Sequence, residues 1–203
     1  MNELTNKVAL VTGGSRGIGA AIARRLAERG ADVALTYQQA RQQADAVACG
    51  IKDSGRRALA IEADGRSADE VTAAVDRTAE MFGRLDIVVN NAGVFTVGPV
   101  EELGDEEFAH TMAVNVQAPY AASRAALRHL GAGGRIVNIG SNVAERTVFP
   151  GFALYAMSKT ALLGMTKGLA RELGPRDITV NLVNPGPTDT DANPADGPNA
   201  AGI

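Results

Sequence analysis

Six short apolar runs alternate with five longer segments of helical periodicity along most of this 203-residue chain. The runs are Lys7–Thr12, Asp32–Tyr37, Ala58–Ala63, Asp86–Asn90, Arg135–Gly140 and Thr179–Asn184. Between them, Gly17–Arg29, Gln38–Asp53, Ser67–Phe82, Asp105–Leu130 and Phe152–Leu173 repeat apolar residues every three or four positions, as helices do. Strands that read as continuous apolar runs, such as Ile87-Val88-Val89, bury both faces. Strict alternation then requires parallel strands, right-handed crossovers and helices on both sides: an α/β, doubly wound parallel sheet. Gly30, Gly55, Gly83 and Gly174 each fall where a helix should end, the position that favours left-handed backbone.

The length suits one domain, expected over 1–186, and the stretch 187–203 has no apolar periodicity and reads as loop or disorder. A net charge of −3 provides no basic field for nucleic acid or an anionic membrane. Cys49 is the sole cysteine and there are two His, so neither a disulfide nor a zinc site is expected, and no metal is assigned. No apolar run approaches the ~20 residues that span a bilayer. Nor does a signal-like segment precede the first strand, so a reducing cytoplasm is the expected location.

The first strand leads into Thr12-Gly13-Gly14-Ser15-Arg16-Gly17-Ile18-Gly19 and then a helix. A dinucleotide pyrophosphate is held by a helix N-terminus, and glycines let the backbone approach it closely. Gly13, Ser15, Arg16, Gly17, Ile18 and Gly19 are therefore candidate cofactor contacts. An acid at the end of the second strand would bind a free adenosine ribose. This strand ends Leu35-Thr36-Tyr37-Gln38-Gln39, and Arg16 and Arg41 are at hand, which favours NADP(H) over NAD(H). Asp64 is available either to accept from an adenine amino group or to cap the following helix. Asn90-Asn91-Ala92-Gly93 ends the fourth strand, where open parallel sheets collect ligands.

Tyr155 and Lys159 are four apart, hence on one face of a helix, and follow a strand that ends at Ser141. A nearby ammonium, joined by an oxidised nicotinamide, is expected to lower the phenol's pKa toward neutrality, where it can trade protons. Tyr37–Arg41 and Tyr120–Arg124 repeat the spacing, but only the third pair uses Lys and only it follows such a serine. Asn115 lies in an otherwise apolar helical stretch; a buried amide there needs partners, and either bends the helix or holds a water.

Taken in this order, the motifs resemble the short-chain dehydrogenase/reductase family, particularly its 3-oxoacyl-carrier-protein-reductase-like group, over residues 5 to about 195. The resemblance implies a Rossmann-type sheet ordered 3-2-1-4-5-6 and a homotetramer or dimer. It also implies a catalytic tetrad of Asn115, Ser141, Tyr155 and Lys159. It assigns cofactor contacts to Gly13, Gly17, Gly19, Asp64, Asn91, Ala92 and Gly93, and to Pro185, Gly186, Thr188 and Thr190 in the Pro-Gly turn and after it. By analogy Tyr155 protonates a carbonyl oxygen, Ser141 orients it, Lys159 binds ribose and Asn115 holds a relay water. Family members carry a substrate lid and a seventh strand after the position of Thr190, and this chain has neither; either it is a fragment or it lacks them. The stretch Leu130–Gly134 is neutral where carrier-protein reductases tend to be basic, which leaves an acyl-carrier substrate as one candidate among several.

Val94, Phe95, Val143, Phe149 and Phe152 would form an apolar pocket for a small or medium ketone, unless they are core or subunit contacts. The tail Asn184–Pro194 also resembles a subgroup that includes a cyclic-di-GMP-binding biofilm-dispersal protein, so a cyclic-dinucleotide effector on the same fold is the alternative. Asp189, Asp191 and Asn193 imitate a calcium loop, but Pro194 stands where the glycine is required. His110 and His129 read as ordinary surface or core residues.

Overall fold

A computed structural model describes residues 3–147, 149–191 and 193–196. Its strands, β1 (Val8–Val11), β2 (Asp32–Tyr37), β3 (Ala58–Glu62), β4 (Ile87–Asn90), β5 (Arg135–Ile139) and β6 (Thr179–Val183), are all parallel. They are ordered β3-β2-β1-β4-β5-β6, the doubly wound arrangement expected. The helices are α1 (Gly17–Glu28), α2 (Arg41–Asp53), α3 (Ala68–Phe82), α4 (Asp105–Met112), α5 (Ala118–Ala126) and α6 (Ala153–Leu173).

Strand β1 shows why its apolar run is unbroken. All four residues are buried, but Val8 and Leu10 join a core with α3 and α5, while Ala9 and Val11 join one with α1 and α2. Helix α1 buries Ala20, Ala23 and Ala27, small side chains that let it lie close to the sheet. Helix α3 is set by its ends: Ser67 accepts from the N–H of Glu70, and Gly83 closes it at φ +78°.

Two polar residues face each other inside the sheet. Asn90 and Asn138 pair in register on β4 and β5. The Asn90 amide donates to Asn138 Oδ1 at 2.8 Å and to Ser123 Oγ on α5 at 3.1 Å. Asn138 in turn donates to Thr166 Oγ1 on α6 at 2.9 Å. All four side chains are buried, so their hydrogen bonds are obligatory.

Three local expectations need correction. Helix α2 begins at Arg41, because Gln38–Ala40 continues the end of β2 as an irregular segment. The run from Asp105 to Leu130 is not one helix: Ala113–Gln117 forms a wider π turn between α4 and α5, and α5 ends at Ala126. Pro119 supplies the cause. It has no N–H for the carbonyl of Asn115 four residues back, and its ring would crowd that oxygen, so the winding widens. Finally, Gly174 is right-handed (φ −51°) and opens a 3-10 turn; the left-handed residue that closes it is Asp177, at φ +55°.

Beyond Gly186 the described residues form neither helix nor strand. Thr190 and Asn193 make an isolated bridge, and Asn193 Nδ2 donates to the Thr188 carbonyl at 3.2 Å. The part of the loop expectation that covers 197–203 lies outside the described residues.

Candidate active site

The C-terminal ends of the strands open onto a cleft of about 1570 Å³. Its floor begins at the glycine turn. Gly13 and Gly17 have φ +63° and +53°, and a Cβ on Gly13 would lie 2.9 Å from Ala92 Cα. A Cβ on Gly19 would run into the Gly13 carbonyl oxygen and Asn91 Nδ2. Close backbone approach therefore demands glycine at positions 13 and 19, and the left-handed backbone favours it at position 17.

A clasp holds the turn down. Thr12 Oγ1 accepts from the N–H groups of Asn91 and Ala92, each at 3.0 Å. Asn91 Nδ2 donates to the carbonyls of Thr12 and Gly13 at 2.9 and 3.0 Å. Gly13 N–H donates to Thr36 Oγ1 at 3.0 Å, so β1, β2 and β4 all converge there. Above it, Ser15, Arg16, Gly17, Ile18 and Gly19 line the cleft at the start of α1, where no acidic side chain opposes an anion. Thr190 folds back to the same place: a Cβ on Gly17 would meet its side chain at 3.5 Å.

At the far end stands Tyr37, under an Arg41 guanidinium 5.7 Å from its ring centroid. Asp64 does not line the cleft, although Ala63 and Gly65 do. Its carboxylate accepts the Arg66 guanidinium at 2.6 Å, and hydrogen bonding from Arg66, against some burial, holds it below the usual carboxylate range. Ser67, rather than Asp64, caps α3.

Tyr155 and Lys159 face the cleft together with Ser141, Asn91, Ala92, Gly93, Pro185, Gly186, Thr188 and Thr190. Burial governs the titration of this pair in the protein by itself. Burial pushes the Tyr155 phenol upward, with the Ser141 hydroxyl pulling the other way. Burial also drops Lys159 to about 8. Lys159 Nζ donates to the Ile139 carbonyl at 3.1 Å and lies 5.9 Å from the Tyr155 ring centroid. Its charge stabilises a carbonyl oxygen here, and desolvation dominates at the phenol. Ser141 is itself fixed by its N–H, which donates to Asn184 Oδ1 at 3.1 Å.

Asn115 does not reach the cleft wall. It is fully buried in the π turn, where Oδ1 accepts the Val94 N–H at 2.8 Å. Its Nδ2 donates to the Val94 carbonyl and to Ser158 Oγ, both at 3.0 Å. Ser158 then donates to the Tyr155 carbonyl at 2.7 Å. The amide thus ties the loop after β4 to the helix turn bearing Tyr155.

Four aromatic rings form one wall. Phe95 meets Tyr155 edge-on at 4.8 Å and Phe152 at 5.5 Å, and Phe149 stacks obliquely on Phe152 at 6.0 Å. Val94, Val97 and Val143 extend it, and His110, an exposed residue, joins the lining too. Tyr120, by contrast, is half exposed and outside the cleft, which separates its pair with Arg124 from that of Tyr155. Sequence reasoning missed the Thr12 clasp, Ser158, Asn184 and Glu62; all four touch residues distant in sequence and carry no local signal.

The family model for short chain dehydrogenase matches residues 7–200. A cyclic-di-GMP-binding biofilm dispersal mediator protein of Escherichia coli is 46% identical over 198 residues, 98% of this chain and 80% of that protein. A versicolorin reductase of Emericella nidulans is 44% identical over 189 residues, 93% and 72% of the two chains. A short chain dehydrogenase from Burkholderia cenocepacia, solved in complex with NADP, is 58% identical with a TM-score of 0.98. It covers 98% of this chain and 82% of its own. No helix among the described residues is long and apolar enough to cross a membrane. A glycine cradle at the strand ends, a facing Tyr–Lys pair and these likenesses agree: the chain belongs to the short-chain dehydrogenase/reductase family of oxidoreductases.

Proposed function

We propose that the protein interconverts a ketone and a secondary alcohol with NADP(H), in preference to NAD(H), and that Tyr155 is its general acid and base. The observation that carries this is the convergence of Tyr155, Lys159 and Ser141 on the same cleft as the glycine cradle. The cradle fits a dinucleotide because the start of α1 opens onto the cleft through Ser15, Arg16, Gly17, Ile18 and Gly19, with no acidic side chain in its first turn. The Gly13–Gly19 turn would hold the pyrophosphate, Tyr37 with Arg16 and Arg41 the adenosine end, and Asn91–Gly93, Pro185, Gly186, Thr188 and Thr190 the nicotinamide end. When bound, the nicotinamide supplies or accepts the hydride. An NADP-bound structure at 58% identity supports use of that cofactor.

Within the cleft, Tyr155 gives its proton to the carbonyl oxygen as that oxygen gains charge, and takes it back in the reverse direction. Ser141 donates to the same oxygen from a backbone fixed by Asn184. Lys159, with a pKa of about 8, is mainly protonated at neutral pH; it would donate to a ribose hydroxyl of the cofactor and stabilise the phenolate as it forms. Asn115 has a positioning role through Val94 and Ser158. The aromatic wall suits a ketone with a planar or bulky apolar substituent. We read 1–186 as one cofactor-binding and catalytic domain and the following residues as the start of a substrate cover.

A second reading, a cyclic-dinucleotide effector, is favoured by the 46% identity to the dispersal mediator. One experiment separates them. NADPH oxidation is screened against ketones and 3-oxoacyl thioesters, with Tyr155→Phe as control, and cyclic-di-GMP is titrated in parallel. We expect Tyr155→Phe to keep NADPH affinity and lose turnover by roughly 10²-fold or more. Unchanged turnover rejects the acid; tight cyclic-di-GMP binding without any turnover favours the effector.

A further inference from the structure

We propose that Glu62 sets how strongly the site discriminates a phosphorylated from a free adenosine 2′-position, by holding Arg41. The inference rests on the NADP(H) reading above and identifies a determinant outside the residues that reading uses. The register of β2 and β3 places Tyr37 directly opposite Glu62. A carboxylate thus reaches, from the neighbouring strand, the place where β2 itself carries none. Glu62 Oε2 accepts from Arg41 Nη2 at 2.8 Å and from the Tyr37 hydroxyl at 3.4 Å. With Arg41 stacked over Tyr37, the three side chains form one closed unit, of which Tyr37 lines the cleft next to Gln38, Gln39, Ala40 and Gln43, while Arg41 and Glu62 are exposed at its margin.

The consequence is electrostatic. A 2′-phosphate that approaches Arg41 meets a cation already neutralised, and the carboxylate itself repels the dianion. A free 2′-hydroxyl instead finds in Glu62 an acceptor. The side chains of Arg41 and Glu62 are 66% and 59% exposed, so the pair is weakly held and exchangeable. Glu62 therefore tunes the preference downward without abolishing it, and leaves room for both cofactors.

The test needs no turnover. Affinities for 2′,5′-ADP and 5′-ADP are measured by titration calorimetry for the wild type, Glu62→Gln, Glu62→Asp, Arg41→Ala and the double variant Arg41→Ala/Glu62→Gln. Glu62→Gln should raise the preference for 2′,5′-ADP about tenfold, an effect that shrinks in high salt. Glu62→Asp should stay near wild type, and the gain should vanish in the double variant. A merely structural glutamate would move both ligands alike, and that result overturns the proposal, as does an unchanged ratio in Glu62→Gln. If Arg41→Ala selectively weakens 2′,5′-ADP while Glu62→Gln changes nothing, only the assignment to Glu62 falls. If the wild type and Arg41→Ala both bind the two ligands equally, the NADP(H) preference falls with it.

Discussion

Replacing Lys159 by Met should make the protein more stable while it disables the site. The side chain is 5% exposed, and burial brings its pKa from 10.5 to about 8. That gap corresponds to roughly 3 kcal/mol spent at neutral pH on carrying an ammonium into the interior. Met retains the apolar stem but gives up the hydrogen bond to the Ile139 carbonyl, a loss of about 1 kcal/mol. The variant should therefore gain about 2 kcal/mol at pH 7, or roughly 4–8 °C in Tm for a chain of this size. The pH dependence carries the proof. The unfolded chain keeps the Lys159 proton up to 10.5, whereas the folded chain releases it near 8. Between those values the unfolded state binds more protons, so wild-type stability climbs with pH, while the Met variant has no such gain. The difference between the two proteins should be largest at pH 7 and should narrow steadily toward pH 9.5. The raised Tyr155 phenol titrates above this window, so it does not confuse the comparison. Urea unfolding followed by circular dichroism at several pH values measures it. A variant less stable than wild type at pH 7, or a gap that does not change with pH, refutes the reasoning.

Asn115→Ala strips partners from the Val94 N–H, the Val94 carbonyl and Ser158, which should cost about 3 kcal/mol and lower the thermal midpoint by roughly 6–12 °C. A loss under about 1 kcal/mol would show that water replaces the amide without penalty. Phe108, Tyr120 and Met157 are half-exposed apolar side chains on α4, α5 and α6, and Tyr120 lines a shallow groove with Ala109, Met112, Val116 and Met165. We expect this face to join copies of the chain into a dimer or tetramer. Tyr120→Glu should shift sedimentation toward the monomer, and a wild type that is monomeric at micromolar concentration sinks the idea.

The sheet was legible because burial on both faces leaves an unmistakable record: β1 and β4 cannot read as anything but core. The site was legible where chemistry is local, as in Gly13–Gly19 or Tyr155–Lys159. It was opaque where two distant segments meet. Nothing beside Asn115 in sequence announces Val94, and nothing beside Tyr37 announces Glu62, because strand register alone brings that carboxylate into place. Pro119 was a local signal for the π turn that apolar periodicity masked. The phenol's titration could not be read at all, since it depends on where a lysine head points and how dry its surroundings are.

The facing amides of Asn90 and Asn138 carry a last consequence. Because each reaches a hydroxyl on a different helix, Ser123 or Thr166, they act as a keyed joint rather than as glue. Sliding either helix by a single turn would strand polar atoms in a dry interior, a far heavier penalty than any loss of oily contact. Alternative alignments are thereby priced out. The loops that leave those two strands start from a foundation that cannot drift.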